Sequence, residues 1–201
     1  MEFRIDEVLI MGAQQIFDSA QGKYNEVIDT LTKFANIIEK ATEGKFSTDI
    51  ALVQFDCILQ YMLLHEAIAD GKISHVEQQF INFITDRGDI LKVVKAKTGV
   101  ELTWDELENI SGETGTELLK ALTPVYGELL TDFVGSVAKV DGYVKEIDLL
   151  KLINDNIIAI FAAFANVDGD ATDAERDSVI NAYVDLFVSY YQKAVEDAEN
   201  E

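Results

Sequence analysis

Residues 166–175 read Asn-Val-Asp-Gly-Asp-Ala-Thr-Asp-Ala-Glu, so that Asn166, Asp168, Asp170, Thr172, Asp173 and Glu175 crowd side-chain oxygens into one short stretch. Hard divalent cations take oxygen ligands of this kind. An EF-hand loop needs glycine at its sixth position and glutamate at its twelfth. Counted from Asn166, Gly169 is fourth and Asp177 twelfth, so that loop geometry does not transfer. The same residues have an architectural use without any ion. Asp168-Gly169 closes one helix, Thr172 N-caps the next, Glu175 completes a capping box, and Asp173 and Glu175 face the positive end of the helix dipole.

Other chemistry is thinly supplied. His65-Glu66 begins like a zinc-protease helix signature, but Ala69 stands where the second histidine would fall. Neither His65 nor His75 follows a glutamate at the spacing used by carboxylate di-iron bundles. The chain contains no nucleophile-elbow serine motif, no phosphate-binding loop and no dinucleotide glycine fingerprint. Two histidines and one cysteine leave little material for acid-base or nucleophilic catalysis, so a non-enzymatic role is expected. His75, beside Asp70 and Glu77, is expected to be exposed, His65 semi-buried and hydrogen-bonded, and Cys57 part of the core.

The elements that would position these residues are helices. Only Pro124 breaks the pattern, and apolar residues recur at three- and four-residue intervals. Helices are predicted near 4–20, 24–41, 48–69, 74–97, 115–139, 144–166 and 172–197, with a short one near 104–110 opened by a Thr103/Glu106 capping box. Four acid-glycine pairs punctuate them: Glu43-Gly44, Asp70-Gly71, Asp141-Gly142 and Asp168-Gly169. The second follows the first by 27 residues, the fourth follows the third by 27, and each of the first two precedes its counterpart by 98. From Glu43 and from Asp141 onward the chain aligns with itself without a gap over about forty positions, the mark of an internal repeat. The expectation is an all-α, internally duplicated bundle of about seven main helices, with repeats near 1–98 and 99–201 joined through a glycine-containing segment near 86–114. In each repeat glycine ends a helix where only it enters the left-handed region cheaply, and Ser74 with Glu77, like Thr172 with Glu175, starts the next. Ile50, Leu52, Val53, Phe55, Ile58, Leu59, Met62 and Leu63 in one copy, and Ile153, Ile157, Ile160, Phe161 and Phe164 in the other, make the middle helices apolar nearly all round. Such helices belong in the interior, and the two are expected to pack together near a pseudo-twofold axis.

A formal net charge of −21, from 37 acidic and 16 basic residues, argues against direct nucleic-acid binding and favours cations or basic protein surfaces as partners. The acidic N-terminus carries no secretion pattern, and the longest apolar run, Ile157 to Ala165, is too short to insert in a membrane. With one unpaired cysteine these features predict a cytoplasmic protein. The same charge admits a lesser reading, an acidic nucleic-acid mimic that blocks a DNA-binding protein.

Ala69-Asp70-Gly71-Lys72-Ile73-Ser74-His75-Val76-Glu77 resembles the Ala-Asp-Gly-x-Ile-Ser-x-x-Glu signature of TerB-like domains. These form the tellurite-resistance helical family that also occurs at the N-terminus of some DnaJ proteins. Val167-Asp168-Gly169-Asp170-Ala171-Thr172-Asp173-Ala174-Glu175 resembles a second occurrence. The resemblance implies an all-helical, duplicated, non-catalytic module of bacterial or phage stress-response or defence systems, whose clustered acids bind a divalent cation (Ca²⁺, Mg²⁺, Mn²⁺ or Zn²⁺) or a protein partner. Carried to this chain it points to Asp70, Glu77, Asp168 and Glu175 converging near the pseudo-twofold axis. Asp170, Asp141 and Asp148 are secondary candidates, the last two because the third turn keeps an acid seven residues after Asp141 but lacks the Ser or Thr cap. A purely structural protein, whose acids serve capping and solubility, is the alternative.

Overall fold

Ala20, Tyr24, Val27, Ile28 and Leu31 form one stripe at helical spacing, and all five are buried. That stripe runs straight through Gly22, whose position has open space around it. The computed structural model accordingly carries a single helix, α1 (Phe3–Lys33), where a break near residue 22 was expected. Burial of a continuous face outweighs the ~1 kcal/mol that glycine costs in a helix interior. The model describes residues 3–69, 73–99, 101–107, 112–143, 148–167, 187–189 and 192–193. They are all-α, and no strand occurs among them.

The chain bends at Phe34 into α2 (Ala35–Ala41), which closes on Glu43 and Gly44 at φ 54° and 74°. The Gly44 N–H reaches back to the Glu39 carbonyl at 2.7 Å, so the first acid-glycine pair does end a helix. Helix α3 (Thr48–Ala69) follows as predicted. The expected long helix over 74–97 is instead two, α4 (His75–Ile84) and α5 (Ile90–Thr98), because Asp89 N-caps Leu91 and Lys92 and extended residues precede it. A short α6 (Trp104–Leu107) is opened by Thr103, whose N–H donates to Glu106 Oε2 at 2.8 Å.

Helix α7 (Gly112–Tyr143) carries Pro124 on its exposed side and continues through Asp141 and Gly142. The third acid-glycine pair is therefore helical, not the helix-ending turn expected there. Helix α8 (Leu149–Phe164) starts later than predicted, at the N-cap Asp148. The predicted helix over 172–197 lies outside the described residues except for a few positions, of which Phe187 is buried in the core.

The core is continuous from Ala20 to Phe187. Its main packing is reciprocal: α1 lies against α8, and α3 lies against α7. The two apolar helices α3 and α8 do touch, but each packs chiefly on the other's long neighbour. On α3, Leu52, Phe55, Ile58, Leu59, Met62 and Leu63 are buried as expected, whereas Ile50 and Val53 are more than two-fifths exposed. No described helix is long and apolar enough to cross a membrane.

Candidate functional site

The segment that leads into α4 carries Ile73, Ser74 and Glu77. Ile73 is buried, which fixes the approach to α4 from the core side. Ser74 is extended and its hydroxyl accepts the Glu77 N–H at 3.2 Å, while the Glu77 carboxylate accepts the Ser74 N–H at 2.6 Å. The predicted capping box is thus formed, and Glu77 is nearly buried in it. His75 is exposed in the first turn of α4, with its Nε2 2.9 Å from Gln79 Nε2.

Asp148, the secondary candidate in the third turn, is spent on the α8 N-cap, accepting the Lys151 N–H at 2.8 Å. Asp141 falls in the last turn of α7. Asp70, Asp168, Asp170 and Glu175, with the second capping pair and the expected convergence of the four acids, lie outside the described residues. Among the described residues no three His, Cys, Asp or Glu side chains gather closely enough to hold a metal.

The other end of α4 is held by a polar cluster that sequence reasoning did not single out. Asp56 and Gln60 lie one turn apart on α3 and are both buried. The Tyr24 hydroxyl donates to Asp56 Oδ1 at 2.6 Å, and the N–H groups of Arg87 and Gly88 donate to Oδ2 at 2.6 and 2.9 Å. Gln60 donates to Thr85 Oγ1 at 2.8 Å and to the Gly88 carbonyl at 3.0 Å, and accepts the Ile90 N–H at 2.8 Å. Two side chains of α3 therefore fasten the whole 85–90 linker between α4 and α5. Gly88 presses so closely on α3 that a Cβ there would sit 2.6 Å from Asp56 Cβ and 2.7 Å from the Val53 carbonyl oxygen.

Burial pushes the Asp56 carboxyl above the ordinary carboxylate range, opposed by the Tyr24 hydroxyl and the two backbone N–H groups. Burial, then the Asp56 hydrogen bond, push the Tyr24 phenol up as well. Next along α3, Cys57 is buried as predicted, and burial pushes its thiol up to about 12, opposed by a backbone hydrogen bond from Asp89. A thiol so held is not a thiolate at neutral pH and is a poor nucleophile. His65 is half-buried beside Tyr61, with ring centroids 6.2 Å apart. Its Nδ1 is covered and unpartnered, contrary to the expected hydrogen bond, and burial lowers its pKa.

The available signal for the cluster was the pair of polar residues on an inward face of α3: a buried Asp and Gln one turn apart must find partners. Comparison with known proteins gives no match to a family model, a curated protein or a solved structure.

Proposed function

We propose that the chain is a non-catalytic, TerB-like interaction and sensor module of a bacterial or phage stress-response or defence system, acting in the cytoplasm. In this reading a divalent cation or a basic protein surface engages the acidic turns through Asp70, Glu77, Asp168 and Glu175. The observation that carries it is the recurrence of one nine-residue acidic turn 98 positions apart in the same chain. The reciprocal packing of α1 on α8 and α3 on α7 supports a duplicated bundle, since each half contributes one long and one apolar helix to the exchange.

The structural alternative has its own support, because Glu77 is already engaged by the Ser74 cap. Thermal unfolding of metal-free protein with Ca²⁺, Mg²⁺, Mn²⁺ or Zn²⁺ separates the two. An ion that binds the folded state raises the melting temperature. A selective rise that disappears in the Asp70→Asn/Asp168→Asn double variant is the expected result. If no ion raises the melting temperature and the double variant also keeps every captured basic partner, the module reading is wrong and the capping reading stands.

A further inference from the structure

A polar cleft of about 440 Å³ opens between the α2–α3 turn and α7. One wall is a stripe of α7 in which Asp132, Ser136 and Lys139 follow one another at helical spacing; the other carries Glu43 and Lys45. Each wall thus presents one acid and one base. Among the described residues none of these four charges is ion-paired. Two unengaged lysines in one cleft stand out in a chain with 16 basic and 37 acidic residues. Gln54 lines the floor, and its Oε1 is buried without a hydrogen-bond partner. The turn is rigidly set: the Thr42 hydroxyl donates to the Ile38 carbonyl at 2.8 Å and accepts the Phe46 N–H at 3.2 Å.

A pocket with separated, unpaired charges of both signs and a half-buried amide whose oxygen lacks a partner suits a ligand that brings both charges itself. A simple anion would meet Glu43 and Asp132, and a simple cation would meet the lysines. We propose that this cleft binds a small zwitterion bearing an ammonium and a carboxylate, an α-amino acid or its close analogue. Lys139, Lys45 and the Ser136 hydroxyl supply the donors for the carboxylate, and Asp132 and Glu43 the acceptors for the ammonium. Gln54, by turning its terminal amide, offers either an acceptor or donors to the ligand's flank. Asp132 and Lys139 are separated by about 10 Å along the helix axis, a span shortened because the longer Lys139 side chain leans further toward the N-terminus than that of Asp132. The cleft volume falls in the range of small-molecule sites.

The inference does not depend on the acidic-turn reading, and the test is run with chelator present so that cation binding does not enter it. The full chain is titrated calorimetrically with each of the twenty L-amino acids, and with acetate and methylammonium as single-charge probes. At least one amino acid binds, neither single-charge probe matches it, and Lys139→Gln and Asp132→Asn each weaken it by about tenfold, the loss of one charge-assisted hydrogen bond. Both side chains are exposed, and an unchanged circular dichroism spectrum and melting temperature confirm that the variants fold. The proposal is overturned if no amino acid binds, if acetate or methylammonium binds as tightly, or if both variants retain wild-type affinity.

Discussion

Replacing Asp56 by alanine removes the acceptor for three donors at once: the Tyr24 hydroxyl and the N–H groups of Arg87 and Gly88. The tyrosine has a fallback, since Asp86 Oδ1 lies 3.3 Å from its oxygen. The Arg87 and Gly88 N–H groups bond to Asp56 alone, and each buried donor left unmade costs about 1–3 kcal/mol. Asp56→Ala is therefore expected to destabilise the fold by about 3–5 kcal/mol, in line with breaking other buried charged networks. Asp56→Asn preserves the shape. Its carbonyl can accept both backbone N–H groups, while its NH₂ donates to the tyrosine oxygen and the phenol turns toward Asp86. Only the charge-assisted part is lost, about 1–1.5 kcal/mol.

The assay is urea unfolding followed by circular dichroism, with thermal unfolding beside it. For a chain of this length 1 kcal/mol moves the melting temperature by about 2–4 °C, so the alanine variant should melt roughly 10 °C below the wild type. Equal losses for alanine and asparagine, or an alanine variant within about 1 kcal/mol of wild type, would refute the view that Asp56 fastens the linker. The carboxyl also sets a pH dependence. Its folded pKa is raised by burial, so folding takes up a proton between the unfolded value, about 3.9, and the folded one. Its contribution is full below the unfolded value and is lost as pH rises through the folded value. The stability of wild type relative to Asp56→Asn should fall with rising pH across that window.

Gly88→Ala places a methyl against Asp56 Cβ and the Val53 carbonyl oxygen, one fixed directly to the α3 backbone and the other part of it, so neither moves easily. It should cost about 1–3 kcal/mol, measured by the same urea transition with unchanged slope. His65, whose folded pKa is lowered by burial, gives stability that is present above about pH 6.5 and lost as pH falls through it toward the folded value. A proton-NMR titration should place its midpoint below 6.5, and His65→Gln should flatten the acid-side loss of stability. A midpoint at or above that value removes the argument. Cys57, buried under Gly88 with its thiol pushed up to about 12, should resist a thiol reagent in the native state and react fully in urea. Rapid native modification would show that the 85–90 linker opens readily. Ser74→Ala should cost about 1 kcal/mol through loss of the cap, and the thermal shift produced by any ion in that variant should match the shift in wild type if capping and ion binding are separate.

The helices were legible where a single face is buried over a long stretch, as in α3 and α8, and where side-chain chemistry marks an end, as at Ser74 and Glu77. The boundaries failed where tertiary packing overrode a local cue. Gly22 did not break α1, because the buried stripe on either side keeps one register against α8. Gly142 did not end α7, although the equivalent Gly44, in the left-handed region, does end α2. The break at 85–89 was readable from Asp89 as an N-cap after Gly88, but apolar periodicity on both sides masked it. Ile50 and Val53 are exposed although α3 is apolar nearly all round, because burial follows which neighbours pack on each face, and composition does not reveal that.

The start of α4 is placed by more than its own sequence. Helix α4, about 15 Å long for its ten residues, is tied at both ends: the Ser74–Glu77 box fixes its start, and Thr85, held by Gln60, fixes its end. Gln60 and Asp56 stand on α3, the helix that leads into Ala69 and the turn itself. The chain therefore leaves α3 at the turn and is fastened back onto α3 at the linker, closing a loop around α4. Motion of α4 relative to α3 must break the buried hydrogen bonds at the linker, which are costly to leave unmade. The Ser74–Glu77 box thus owes its anchoring on α3 to two polar side chains of that helix, and the box was legible because its two residues are close in sequence, whereas Asp56 and Gln60 meet their partners only after the chain has folded back.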